Sequence, residues 1–241
     1  MALPNAYECE SVWHVPARLR LELLALLSAD PTQTATMTYE EFLQWADEDT
    51  LAEWVDGKVV MTTPASARHQ YLAAFLQNIL APYTSVHDLG TVLLAPFQMK
   101  LPHSAREPDV LFLAKEHLGR LRESRIEGPA DLVVEIVSKE SRSRDRGEKF
   151  YEYGEGGVPE YWLLDPQLEQ AEFYQLDAQG RYQVVAPDEN GIYHAKVVAG
   201  FWLRVAWLWR QPLPDPVQVL LEIDRDAYRR YLHNRMHQAG S

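Results

Sequence analysis

An apolar run broken by a single acidic residue is the feature that most constrains the fold of this chain. Residues 131–137, Asp-Leu-Val-Val-Glu-Ile-Val, place apolar side chains on both faces of a strand, with Glu135 as the exception. Strands that are apolar on both faces lie at the centre of helix-covered sheets. A buried carboxylate without a partner is costly, so Glu135 needs a cation or a set of hydrogen-bond donors. The run therefore predicts a central strand with a polar site beside it.

A second acid stands at the start of another strand-like run. Asp109 follows Pro108 and precedes the apolar residues 110–113. If the two strands are neighbours, Asp109 and Glu135 come within reach of one divalent cation, which would relieve their mutual repulsion. Mg²⁺ typically takes one or two carboxylates, with water and substrate phosphate completing its shell. The acid pair therefore suggests phosphodiester chemistry, whereas a plain turn residue after Pro108 is the competing interpretation of Asp109.

The pattern around these runs predicts an α/β fold, in the form of an α+β mixed sheet flanked by helices. Thr38 and Glu41 predict a capped helix that runs to about residue 47, and Asp56-Gly57 predicts a hairpin turn. The predicted helices of the remaining chain cover residues 16–28, 65–82, 141–155 and 224–237. The predicted strands are Thr91–Leu101, Asp109–Leu113, Leu132–Val137 and Glu160–Leu164, and residues 170–205 are predicted to form antiparallel hairpins.

The composition excludes several classes of protein. Apolar residues make up 46% and charged residues 24% of the chain, as in ordinary globular proteins. No apolar run reaches the length of a membrane span, so no membrane partner is expected. The single cysteine, Cys9, excludes a disulfide framework and fits a reducing cytoplasm. The net charge of −12 argues against a broadly basic nucleic-acid surface but not against a nuclease, whose metal ligands are themselves acidic.

Other catalytic motifs are missing from the sequence. The chain contains no Gly-rich phosphate loop of the Walker or Rossmann kind and no Gly-x-Ser-x-Gly elbow. Its eight histidines are scattered, with no zinc-binding spacing and no His-Glu-x-x-His helix. The acid pair is therefore the leading candidate for a site.

Lys149, in the predicted basic helix, is the first candidate for a catalytic cation. It borders the stripe on which Phe150 and Tyr153 are expected to pack against the sheet. Its ammonium could return to the end of the Glu135 strand and orient a water or stabilise charge on a phosphate. The alternative is an ordinary ion pair with Asp145, four residues earlier on a solvated helix face.

Further polar residues are weaker candidates, and each has a structural alternative. Glu53 could supply a third carboxylate from the hairpin or be an exposed strand residue. His69 could contact substrate or hydrogen-bond an acid of the site, although a satisfied core or surface histidine is more common. Arg142, Arg144 and Arg146 could contact phosphates or form a solvated helix face.

Six segments of the chain form a recognisable set in this order: Tyr39–Leu43, Glu53–Lys58, Glu107–Val110, Leu132–Ser138, Asp145–Lys149 and Gly157–Pro166. Together they resemble the segments of the Uma-two endonuclease family, within the PD-(D/E)-x-K restriction-endonuclease-like superfamily. The last, which contains Gly-Val-Pro-Glu-Tyr-Trp, is the most telling. The resemblance implies a restriction-endonuclease-like domain over residues 37–205, with helical extensions over 1–36 and 206–241.

The resemblance also implies roles for particular residues. Asp109 matches the motif aspartate and Glu135 the motif acid. The superfamily lysine normally stands two residues after the acid, where this chain has Val137, and Lys149 matches the family's lysine in the following helix. Lys139 replaces a proline that is usual in the family and shares a strand face with Glu135, so it is a second candidate cation.

These observations predict a Mg²⁺-dependent endonuclease, with Mn²⁺ as the alternative ion, that acts on nucleic acid, with DNA as the expected substrate. The predicted metal ligands are Asp109, Glu135 and the Ile136 carbonyl; Lys149 and Glu53 complete the predicted catalytic set; and His69, Arg142 and Arg146 are predicted to support substrate. Val137 and the acidic net charge favour the alternative, a nucleic-acid-binding or regulatory module that has lost turnover. The predicted assembly is a homodimer, for which Trp202, Trp207 and Trp209 could form an interface.

Overall fold

The structure is a computed structural model that describes residues 36–46, 50–61, 64–138 and 141–238, without the side chains of 142, 143 and 234–238. The chain divides into two compact units, residues 1–62 and 63–241. The predicted helix over 16–28 and the candidate Lys139 lie outside the described residues. The limits proposed for the two helical extensions stay predictions.

In the first unit, helix α1 spans Tyr39–Trp45 and begins with the predicted capping box. The Thr38 hydroxyl accepts a hydrogen bond from the Glu41 N–H at 3.2 Å. In return, a Glu41 carboxylate oxygen accepts the Thr38 N–H at 2.7 Å. Two of the N–H groups that a helix start leaves unpaired are thus satisfied locally, which explains why the sequence alone located this end.

The same unit contains the predicted hairpin of β1, Ala52–Val55, and β2, Lys58–Met61. Asp56 and Gly57 both have positive φ, 46° and 81°, as a two-residue turn of this twist requires. Glu53 lies on β1 opposite Val60 and is buried, so the alternative of an exposed strand residue is wrong.

The second unit contains the remaining described elements. Its strands are β3 Gly90–Leu94, β4 Gln98–Lys100, β5 Ser104–Arg106, β6 Val110–Ala114, β7 Arg125–Glu127, β8 Leu132–Ile136, β9 Glu160–Asp165, β10 Gln170–Leu176, β11 Tyr182–Val184, β12 Ile192–His194 and β13 Trp202–Arg204. Its helices are α2 Ala67–Val86, α3 Arg142–Arg146, α4 Glu148–Glu155, α5 Pro216–Ile223 and α6 Arg225–Gln238, with 3₁₀ turns at Lys115–Arg120 and Val205–Trp209. Within the described ranges, no helix combines the length and apolarity that crossing a membrane requires.

Six strands form a mixed sheet in the order β11-β10-β9-β8-β6-β3. β8 and β9 run parallel, while the other neighbouring pairs are antiparallel. β8 therefore lies in the middle of the sheet, and the prediction of a central strand is confirmed.

Two predicted elements are each divided in the structure. The predicted strand Thr91–Leu101 becomes β3 and β4, because Pro96 lies between them and has no N–H to contribute to a ladder. The predicted helix over 141–155 becomes α3 and α4, since Gly147 has non-helical angles of φ −114° and ψ −92°. The second division matters for function because it sets the direction of the helix that carries Lys149.

The sheet separates two hydrophobic layers. The layer on the α2 side includes Leu76, Phe112 and Val134, whereas the opposite layer includes Val133 and Tyr153. Alternation along β8 places Glu135 on the same face as Val133, toward the layer that contains Tyr153 of α4. Each fully buried side chain of Leu or Phe size contributes about 1.5–3 kcal/mol, so both layers hold β8 firmly in the sheet.

Candidate active site

Asp109 and Glu135 lie side by side at one end of two adjacent strands. β6 pairs with β8 so that Val110 faces Val134, and Asp109 directly precedes Val110 while Glu135 directly follows Val134. The Ile136 N–H donates to Asp109 Oδ2 at 2.7 Å, which holds this carboxylate at the end of β8. The prediction that the two strands are neighbours is therefore confirmed.

His69 contacts the aspartate of this pair. It lies in the first turn of α2, where the Ser66 hydroxyl caps its N–H, and its Nε2 is 3.1 Å from Asp109 Oδ2. Burial lowers the pKa of His69, but the hydrogen bond and the negative charge of Asp109 outweigh burial and leave the pKa raised. Of the possibilities that the sequence left for His69, the structure contains the hydrogen bond to an acid of the site, and substrate binding by His69 stays a prediction.

Two side chains of α4 hold the glutamate. The Tyr153 hydroxyl donates to Glu135 Oε1 at 2.6 Å, and the Lys149 ammonium is 2.9 Å from the same oxygen. Both Glu135 and Lys149 are buried. Lys149 and Tyr153 are four residues apart and therefore share one face of the helix.

Lys149 also contacts Asp145, with Nζ 3.5 Å from Oδ1. The Lys149 ammonium therefore lies between Glu135 and Asp145, and the expected return to the Glu135 strand is present. The alternative of a solvated helix face is wrong, since Lys149 and Asp145 are both buried, and a catalytic role for Lys149 stays a prediction. Burial raises the pKa of the Asp145 carboxyl, and the nearby charge of Asp109 adds to the rise, while Lys149 and a hydrogen bond from Ser141 oppose it.

In the cluster formed by Asp109, Glu135, Asp145 and Lys149, the Lys149 ammonium contacts Glu135 and Asp145, and His69 contacts Asp109. Even with His69 counted, three carboxylates outnumber two basic groups, so a further cation would be favourable there. The oxygens of Asp109 and Glu135, with the adjacent Ile136 carbonyl, are the hard donors that Mg²⁺ and Mn²⁺ prefer, and the residues present fit such an ion. Across the described part of the chain, no three His, Cys, Asp or Glu side chains are grouped to hold a metal, so water and phosphate would fill the remaining positions.

Val137 shows why the lysine comes from the helix. This residue is buried in the apolar layer that also contains Leu111 and Val133. A lysine ammonium in such surroundings would lose its hydration. The ammonium of Lys149 reaches Glu135 from α4 instead, where two carboxylates receive it.

Arg146, one of the predicted phosphate contacts, forms ion pairs with two carboxylates of the protein. Its Nη2 is 2.7 Å from Glu172 Oε1, and its Nη1 is 3.3 Å from Asp165 Oδ2. The Arg142 side chain lies outside the described residues. Substrate binding by either arginine stays a prediction, as does a catalytic role for Glu53.

Sequence reasoning missed three parts of the site region. Tyr153 was assigned to packing only, although its spacing from Lys149 was the available signal for a shared target. Asp145 was considered only as the partner of Lys149. Arg106, which is fully buried and bonded to Glu152 of α4, gave no signal, because the two residues are far apart in the sequence.

A solved structure has a similar fold. A crystal structure described as "a putative nuclease belonging to DUF820" from Anabaena variabilis superposes with a TM-score of 0.62 at 15% sequence identity. The match covers 72% of this chain and 97% of the other. The likeness shows a shared fold, and the predicted mixed α/β class is confirmed. No curated protein matches the sequence.

The family follows from the sequence itself. The family model Uma2, described as "Putative restriction endonuclease", matches residues 39–206, which is more than half of the 241 residues. The chain belongs to the Uma2 family, and the resemblance carried by the six segments is confirmed.

Proposed function

We propose that this protein is a metal-dependent endonuclease that hydrolyses phosphodiester bonds in DNA. The observation that supports it most directly is the hydrogen bond from the Ile136 N–H to Asp109 Oδ2, next to Glu135, together with the Lys149 ammonium 2.9 Å from Glu135 Oε1. The description of the family as restriction endonucleases supports DNA as the substrate. The excess of carboxylates in the cluster supports the use of a cation.

The carboxylates of Asp109 and Glu135 and the Ile136 carbonyl would hold Mg²⁺ or Mn²⁺. When bound, such an ion polarises the phosphate and makes a water molecule more acidic. In the hydrolysis, a water molecule gives up a proton to the solvent as its oxygen bonds to phosphorus, the bond from phosphorus to the leaving sugar oxygen breaks, and the leaving oxygen takes up a proton from the solvent.

The protein's own groups have separate tasks in this proposal. Lys149 orients the attacking water or stabilises the charge that develops on the phosphate. Tyr153 keeps Glu135 in place by donating a hydrogen bond to Oε1. His69 and the Ile136 N–H hold Asp109 through its Oδ2 oxygen.

The test is nicking of supercoiled plasmid with added Mg²⁺ or Mn²⁺. We expect wild-type protein to nick the plasmid and the isosteric variants Asp109→Asn and Glu135→Gln to be inactive. Glu222→Gln is the matched control, because Glu222 pairs with Arg204 in an exposed ion pair outside the cluster. Equal activity in all four preparations would point to a contaminating nuclease and contradict the proposal.

The second candidate function is a nucleic-acid-binding module without turnover, which Val137 at the usual lysine position favours. Calorimetric titration with Mn²⁺ separates the two functions. The endonuclease requires metal binding that is weakened in Asp109→Asn. DNA binding without any metal binding would instead support the inactive module.

A homodimer is the assembly that we propose, based on the tryptophan-rich segment. Trp202 and Trp207 stack with centroids 5.3 Å apart, and Trp207 is buried within the protomer. An interface there would therefore use the partly exposed Trp202 and Trp209. Light scattering at micromolar concentration tests the proposal, and a monomer would contradict it.

A further inference from the structure

The position of helix α4 depends on contacts with the rest of the unit. Gly147 both ends α3 and precedes α4, and no side chain caps the start of α4. A helix of eight residues is too short to be stable alone, so tertiary contacts decide where it lies. The location of Lys149 and Tyr153 is therefore set by whatever holds α4.

A buried arginine holds the middle of this helix. Arg106, on β5, donates through Nε to Glu152 Oε2 at 2.8 Å and through Nη2 to Glu152 Oε1 at 2.5 Å. Its side chain is fully buried, while that of Glu152 is 21% exposed. Two parallel hydrogen bonds between planar groups restrict both distance and rotation, which a single contact does not.

The second group near Arg106 is weaker. Glu148 Oε2 lies 3.7 Å from Arg106 Nη2, and its side chain is 66% exposed. An exposed contact of this length contributes little. Of the contacts between Arg106 and α4, the two bonds with Glu152 therefore constrain the helix more than the contact with Glu148 does.

The spacing along α4 connects these bonds to the candidate active site. Lys149, Glu152 and Tyr153 stand at i, i+3 and i+4, so they project from neighbouring positions on one side of the helix. Glu152 contacts β5, the strand that ends at Arg106, three residues before Asp109. Lys149 and Tyr153 contact Glu135 on β8. The helix is thus tied to both chain segments that carry the acid pair.

The end of the helix is also closely packed. A β-carbon at Gly156 would lie 2.7 Å from Leu101 Cδ1 and 2.9 Å from the Glu152 carbonyl oxygen. Such distances require a neighbour to move, so this end of α4 has little freedom to shift toward Leu101.

We propose that Arg106 and Glu152 are positioning residues for the reaction, which fix α4 so that the Lys149 ammonium meets Glu135. This inference rests on the proposed function. The residues touch neither substrate nor metal and act through Lys149. A small displacement of a catalytic group lowers the rate without changing the affinity for substrate, which gives the pair a kinetic signature.

The first test separates positioning from folding. Removing one partner of a buried ion pair destabilises a protein, whereas replacing both with apolar side chains is often neutral. We therefore compare Glu152→Gln with the double variant Arg106→Met/Glu152→Met. For the double variant we expect a cooperative thermal melt that shows a folded protein, a kcat about ten- to a hundredfold lower, and an unchanged KM. A folded double variant with wild-type kcat would overturn the proposal.

The second test asks whether the effect passes through Lys149. If it does, Glu152→Gln lowers kcat in the wild-type background but causes no further loss in a Lys149→Ala background. Equal fold-losses in both backgrounds would mean that Glu152 acts independently of Lys149, contrary to the proposal.

A third measurement does not depend on turnover. Acetic anhydride modifies accessible amines, and peptide mass spectrometry reports the extent at each lysine. We expect modification of Lys149 to rise several-fold in the double variant, with Lys196, bonded to the Leu176 carbonyl, as the internal reference. Unchanged protection of Lys149 would refute the positioning role. The modification of Lys149 could rise in the double variant while the wild-type protein shows no metal-dependent nicking. That result would support the positioning of Lys149 and reject only the proposed endonuclease activity.

Discussion

Two buried glutamates on adjacent strands of the sheet, Glu135 on β8 and Glu160 on β9, are held in different ways. Glu160 Oε1 accepts hydrogen bonds from Trp162 Nε1 at 2.8 Å and from the Tyr193 hydroxyl at 2.5 Å. Its Oε2 accepts the backbone N–H groups of Lys196 and Val197 at 2.8 and 2.9 Å. Burial raises the pKa of Tyr193, and the charge of Glu160 adds to it, so this hydroxyl stays protonated as a donor.

Glu135 differs in both the kind and the neighbourhood of its partners. Its contacts with Lys149 and Tyr153 fall on one oxygen, and Asp109 and Asp145 lie in the same cluster. Burial does not distinguish the two glutamates, since their residue exposures are 3% and 0%. A carboxylate bonded by four neutral donors stabilises the fold, whereas one that shares a cation with other acids is suited to bind an ion.

The largest expected effect is the loss of activity in Glu135→Gln. Replacing the carboxylate by an amide removes a predicted metal ligand, and we expect nicking to fall by about a hundredfold or more. The melting temperature should fall less than in Glu160→Gln, because Asp145 still pairs with the buried Lys149 ammonium that Glu135 leaves. Nicking rates and thermal melts of the same preparation check both statements. A fall as large as that of Glu160→Gln would make Glu135 resemble Glu160.

The opposite outcome is expected for Glu160→Gln. The amide nitrogen of the new glutamine would replace one carboxylate oxygen and would face hydrogen-bond donors that it cannot accept from. The buried donors left without an acceptor would cost about 2–4 kcal/mol of unfolding free energy. Urea denaturation measures this loss, and nicking per folded molecule should be preserved. Loss of nicking without loss of stability would remove the distinction between the two glutamates.

A smaller effect is expected for Tyr153→Phe. This change deletes the hydroxyl that donates to Glu135 and keeps the ring, so the free energy of unfolding should fall by about 0.5–1.5 kcal/mol. Nicking should fall less than in Glu135→Gln, because Lys149 still contacts the carboxylate. Denaturation and nicking together provide the measurement, and activity as low as that of Glu135→Gln would indicate a direct catalytic role for Tyr153.

The smallest effect concerns pH and Asp145. Its pKa is raised in the folded protein, chiefly by burial, so the folded state binds this proton more tightly than the unfolded state. The contribution of Asp145 to stability is therefore present at low pH and decreases as the pH rises from the ordinary aspartate range to the raised pKa. Relative to wild type, Asp145→Asn should become more stable along this rise. Urea denaturation of both proteins at several pH values without divalent ions checks this prediction. A difference in unfolding free energy that stays constant with pH would contradict it.

Local patterns explain why much of the fold was predictable. The apolar run of β8 reports burial on both faces within a few residues, and the Thr38 capping box and the Asp56-Gly57 turn are complete within a few residues. The acid pair of Asp109 and Glu135 was predictable for the same reason, because each acid interrupts or begins a local strand pattern. The division at Gly147 was missed, since glycine inside a helical pattern is often tolerated.

The sequence by itself determined the family, the central strand and the two candidate acids, because strand periodicity, capping and family motifs are properties of short segments. Only the tertiary structure decided which acid is held by neutral donors and which by Lys149, since those donors come from residues far apart in the chain. It also decided that Arg106 holds α4 through Glu152, 46 positions later. The physical reason is that hydrogen bonds and ion pairs act over a few ångströms, and only the packed chain brings such distant groups that close.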